Sequence, residues 1–88
     1  MYHLNFIEYS VEGNAEEYLK SFNETPATTA TITGEMGGTI EIEVQIKYEA
    51  DSPFNAILQG QKLAEDYGAD IYSITRTEQI ATEEILNQ

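Results

Sequence analysis

Residues 39–51 read TIEIEVQIKYEAD. Ile40, Ile42, Val44, Ile46 and Tyr48 alternate with Glu41, Glu43, Gln45, Lys47 and Glu49. Successive side chains of a strand point to opposite faces, so this period of two predicts a strand with one apolar and one largely acidic face. The apolar face belongs to a core. The acidic face is the one whose contacts bear on function.

The stretch just before it, ATTATITGE over 27–35, is rich in β-branched residues and predicts a second strand. Met36, Gly37 and Gly38 then form a hairpin turn. A two-residue Gly37-Gly38 loop would pair Ile32 with Glu43 and Thr33 with Ile42, mixing the faces. A three-residue loop over 36–38 pairs Ile32 with Ile42, Ala30 with Val44, Thr33 with Glu41 and Thr31 with Glu43. Paired residues share a face, so the second register separates apolar from polar and is the one expected.

Outward from the hairpin, YHLNFIEYSV at 2–11 predicts a strand with apolar residues on both faces, and hence a central place in a sheet. Ala15, Tyr18, Leu19 and Phe22 fall on one stripe of a short helix over 15–23. Asn14 stands where a cap is needed, and Glu17 completes a capping box. A second helix over 53–67 starts at Ser52-Pro53 and stops at Gly68. Its inner stripe is Ala56, Gly60, Leu63, Ala64 and Tyr67, widened by Phe54, Ile57 and Leu58. The small residues spaced by four imply close approach to a sheet. DIYSITRT at 70–77 reads as a fourth strand. The tail EQIATEEILNQ either extends that strand through Ile80 or turns into a short helix near Thr82.

The order β-α-β-β-α-β implies an α+β fold of the split βαβ, ferredoxin-like kind. Two helices would cover one face of a four-stranded antiparallel sheet with strand order 4-1-3-2. Eighty-eight residues suit a single domain over 1–88. That topology hosts many functions and names none.

Composition narrows the partners. Sixteen acids against four bases, Lys20, Lys47, Lys62 and Arg76, give a net charge of −12. Direct nucleic-acid binding needs cations to neutralise phosphates, and an anionic membrane needs the same, so neither is expected. Absence of cysteine removes disulfides and thiolate metal or redox sites. The first residues lack a basic segment followed by a long apolar run, which argues against a signal peptide and for a cytoplasmic protein.

The sequence carries little catalytic chemistry. His3 is the only histidine, so no Ser/His/Asp set can be assembled. GEMGG is a hairpin turn rather than a phosphate loop. Glu49 and Asp51 lack the calcium-loop pattern. No enzymatic activity, metal or cofactor is expected.

An open sheet face is the remaining candidate. If helices cover the Ile40/Ile42/Val44 side, the other side presents Thr29, Thr31, Thr33, Glu41, Glu43, Gln45 and Lys47. His3, Asn5, Ile7 and Tyr9 from the first strand, and Ile71, Ser73, Thr75 and Thr77 from the last, complete it. An RNA-binding sheet of this topology would place aromatics and bases where strand three has Glu. Glu41 and Glu43 lie about 7 Å apart along the strand, roughly twice the ~3.4 Å charge spacing of one DNA strand. In size and charge the chain is similar to small acidic inhibitors encoded by phages and mobile elements, a likeness carried by no motif. The expectation is a protein-binding module that docks on a basic protein surface, in its sharper form an inhibitor mimicking nucleic acid. Glu41, Glu43, Glu49 and Asp51 would make charge contacts, with Ile7 and Tyr9 as an apolar anchor. The alternative is a structural protein forming a symmetric homodimer or larger homo-oligomer through the Ile7/Tyr9/Ile71 strip.

Overall fold

The computed structural model describes residues 1–77. The alternative conformations expected for the tail lie outside them. Four strands, β1 (Tyr2–Val11), β2 (Thr28–Met36), β3 (Thr39–Tyr48) and β4 (Tyr72–Arg76), form one antiparallel sheet in the order β2-β3-β1-β4. Helix α1 (Ala15–Glu24) joins β1 to β2, and α2 (Pro53–Asp66) joins β3 to β4. This is the expected α+β, ferredoxin-like arrangement, with both helices on one face.

Alternation along TIEIEVQIKY builds the core. Ile40, Ile42, Val44 and Ile46 are buried, and Leu4, Phe6 and Ala30 join them from neighbouring strands. Ala15, Leu19 and Phe22 of α1 and Leu63 and Ala64 of α2 close the same layer. Each fully buried Ile, Leu or Val side chain contributes about 1.5–3 kcal/mol.

The expected pairs Ile32–Ile42, Ala30–Val44 and Thr31–Glu43 are present. The expected three-residue turn is not. Met36 pairs with Thr39, leaving only Gly37 and Gly38 between the strands, both with positive φ (59° and 84°). This is the backbone that two-residue hairpins favour and that glycine adopts at low cost. A β-bulge between Ile32 and Gly34 takes up the extra residue, so Gly34, not Thr33, pairs with Glu41. Faces are aligned by an unpaired residue within the strand rather than by a longer loop.

The helix starts differ. Ser52 caps α2 as expected, its Oγ accepting from the N–H of Asn55 at 3.1 Å. Asn14 makes no side-chain cap bond to α1. A 3₁₀ turn over Glu12–Asn14 leads straight into that helix, and Asn14 already has helical dihedrals. Capping needs an extended backbone at that position.

Ala56, Gly60 and Ala64 are buried against the sheet. A Cβ on Gly60 would stand 2.8 Å from the Tyr48 hydroxyl and 2.9 Å from Ile74 Cγ1, so only glycine fits without movement. The same Tyr48 hydroxyl donates to the Ala56 carbonyl at 2.6 Å, tying β3 to α2. Phe54, Ile57 and Leu58, expected to widen the inner stripe, instead face outward at 70%, 49% and 49% exposure. At about 100° per residue they fall on the flank and back of a helix whose sheet side is already filled by small residues.

Candidate functional site

Ladder register places the open-face residues in transverse rows. Lys47, His3 and Thr75 form one row, and Thr29, Gln45, Asn5 and Ser73 the next. Thr31, Glu43 and Ile7 follow, then Gly34, Glu41 and Tyr9. The face is therefore graded along the strands. One end carries the single cation Lys47, the middle is neutral and polar, and the other end is acidic and apolar.

The middle is knitted together by side chains. Gln45 Nε2 donates to Asn5 Oδ1 at 2.8 Å, and Asn5 Nδ2 donates to Thr75 Oγ1 at 3.1 Å. His3 Nδ1 lies 2.9 Å from the Thr77 hydroxyl. Burial, and then the charges of Lys47 and the N-terminus, hold the His3 imidazole below its ordinary pKa of 6.5. This network escaped the sequence reading. Its only signal is the register that brings residues 5, 45, 73 and 75 into one cluster, which individual polar residues do not reveal.

At the acidic end, Glu43 is exposed and Glu41 half-buried. The Glu41 side chain lies across Gly34, where an added Cβ would come within 2.9 Å of Oε2. Ile7 pairs with Glu43, and Tyr9 with Glu41. Ile7 and Tyr9 are 39% and 64% exposed, and Ile71 beside them is 88% exposed. Ile7, Tyr9 and Ile71 line a shared concavity with Glu8 and Asp70, so the strip expected from sequence comes together with more acids than those singled out. Glu8 itself points to the helix side, where it meets the Tyr18 hydroxyl; burial and then that carboxylate raise the Tyr18 pKa.

Glu49 and Asp51 do not join this group. They follow the opposite end of β3, and Glu49 is six residues from Glu43, about 20 Å at strand spacing. Asp51 Oδ1 accepts from Asn55 Nδ2 at 2.6 Å, a local contact at the start of α2. The structure thus brings Glu41, Glu43, Ile7 and Tyr9 into one patch and leaves the other two acids at a separate corner. Among the described residues no three His, Cys, Asp or Glu side chains converge as a metal cluster. No described helix is long and apolar enough to cross a membrane. Compared with family models, curated proteins and solved structures, the chain returns no match.

Proposed function

We propose that the protein is a binding module that docks the acidic end of its open sheet face on a basic protein surface. The observation that carries this reading is the adjacency of Glu41 and Glu43 to the exposed Ile7 and Tyr9. Charges on the rim of an apolar anchor speed encounter, and the anchor slows release. In its sharper form the module competes with nucleic acid for a basic groove. Two carboxylates at two-residue strand spacing on a rigid sheet suit that role.

The test is capture of a partner at low salt from the native host, followed by binding measurements on the retained protein. Affinity should fall steeply with salt, and Glu41→Lys combined with Glu43→Lys should weaken it by about tenfold or more. Unchanged binding after both reversals removes the assigned face. Glu49→Lys with Asp51→Lys reports whether contact extends to the other end of β3.

A second reading, a symmetric homo-oligomer, is favoured by the outward apolar face of Phe54, Ile57 and Leu58 on α2. Light scattering across concentrations separates the two. A stable oligomer that disperses on Leu58→Lys supports assembly.

A further inference from the structure

The last strand is shorter than the strand it flanks. β1 pairs with β3 along all ten of its residues, whereas β4 pairs only with Tyr2 through Phe6. Beyond Phe6, the β4 side of β1 has no strand alongside it among the described residues. Ladder parity identifies the groups left there. Thr77 N–H donates to the Met1 carbonyl at 3.0 Å, so odd-numbered residues of β1 direct their backbone groups toward β4. Glu12 N–H donates to the Gly38 carbonyl at 2.9 Å, so even-numbered ones serve β3. The N–H and C=O of Tyr9 and the N–H of Val11 therefore aim at an edge that no described residue pairs with. The Val11 carbonyl already accepts from the Ser10 hydroxyl at 3.1 Å.

The other sheet margins are less suited to a partner strand. On β2, the Asn23 side chain bonds both backbone groups of Ala30, at 2.9 and 3.1 Å. The free side of β4 offers Ser73 and Thr75 on the open face, and the one exposed apolar residue next to them, Ile71, stands at the end of the strand against Ile7.

We propose that the edge of β1 beyond Phe6 receives an extended, basic segment of a partner protein, which adds to the sheet as a strand antiparallel to β1 and in line with β4. This rests on the docking function above and specifies its partner. Charge selects the occupant. Glu8 and Asp70 line the edge and Glu12 follows it, while Glu41 and Glu43 stand one strand away on β3. No Lys or Arg occurs among residues 7–11 or 68–71. A second copy would bring another −12 charge to the same place. The chain's own residues 78–88 carry three Glu and no base, and they follow Thr77, which lies beside Met1 at the far end of β1.

Five residues of edge span about 17 Å, enough for four or five residues of an added strand. Its residue opposite Tyr9 would share the open face with Ile7, Tyr9 and Ile71, and calls for an apolar side chain. Its neighbours would point to the helix side, over a concavity of about 330 Å³ whose lining includes Glu8, Ala69 and Asp70. A Lys or Arg stem lies on Ala69 there, with its charge between the two carboxylates. The recognised pattern is an apolar residue flanked by bases, held by main-chain hydrogen bonds, as in strand addition generally.

The probe is a blocked seven-residue peptide alternating Lys and Val, in three forms of equal charge: unmodified, N-methylated at every Val, and N-methylated at every Lys. In the proposed register the Val amides face β1 and the Lys amides face away. Methylation at Val should cost about tenfold or more in affinity, from the loss of the hydrogen bond to the Tyr9 carbonyl and the clash of the methyl groups with β1, and methylation at Lys little. Saturating unmodified peptide should slow amide exchange at Tyr9 and Val11 about tenfold or more. Equal affinities for the two methylated forms, with no slowing at Tyr9 and Val11, overturn strand addition while leaving the charge-driven docking standing. No binding by any form at low salt overturns both. Slow exchange at Tyr9 and Val11 in the free protein also overturns the proposal, since the edge is then covered by the chain itself or, if concentration-dependent, by a second copy.

Discussion

Gly60 is a single residue on which the packing of α2 depends. Gly60→Ala gains up to about 1 kcal/mol in helix propensity. The added methyl meets Ile74 and the Tyr48 hydroxyl, which must yield, at an overpacking cost of about 1–3 kcal/mol. Net destabilisation is expected in thermal or urea melts. This position was legible because small residues spaced by four have one obvious use on a helix. His3 was not. In sequence it is a strand residue near a terminus, and only the fold sets it beside Lys47 and Thr77. With its folded pKa below 6.5, the unfolded chain binds the proton more readily. Its contribution to stability is therefore full above that ordinary value and is lost as pH falls through it toward the folded pKa. His3→Gln should reduce the loss of stability between about pH 7.5 and 5.5 relative to the parent, measured by urea melts at each pH.

Elements were read well where one signal dominated and less well where two competed. Both helices have a capping residue in sequence, yet only Ser52 makes the bond. Ser52→Ala should cost about 1 kcal/mol, while Asn14→Ala should leave the melting temperature nearly unchanged. A local pattern cannot foresee that a 3₁₀ turn delivers Asn14 in the wrong conformation. The hairpin teaches the same point. Matching of faces dictates the pairing of residues 30–32 with 42–44, but in a continuous ladder the surplus residue belongs to the loop. Two consecutive glycines satisfied the tighter turn, and Thr33 carried the surplus as a bulge. Similarly, Phe54, Ile57 and Leu58 read as inward in sequence and yet face outward, because hydropathy alone does not say when a helix's inner side is already full.

Across the whole molecule, charge acts on stability and on binding with opposite signs. The one ion pair among the described residues, Lys20–Glu24, is exposed and spans one helical turn, a pair worth a few tenths of a kcal/mol. Salt therefore has little attraction to screen and much repulsion, from a net charge of −12. The melting temperature of the free protein should rise between about 20 and 300 mM NaCl, read by calorimetry, while partner binding weakens over the same range. The acidic half of the open face was legible from alternation alone. Its division was not, because placing Glu49 and Asp51 at the opposite end from Ile7 and Tyr9 requires the β1–β3 register.

The amide of Asn23 that grips Ala30 has a consequence for behaviour in concentrated solution. An outer strand of nine residues is a template on which identical chains can stack into fibrils. Here Asn23 occupies the backbone of Ala30, and the bulge at Thr33 twists the rest of the strand off a straight line. Only a short run of free backbone is left between them, so the Thr-rich, β-prone hairpin offers copies of the chain a broken template in place of a long straight edge.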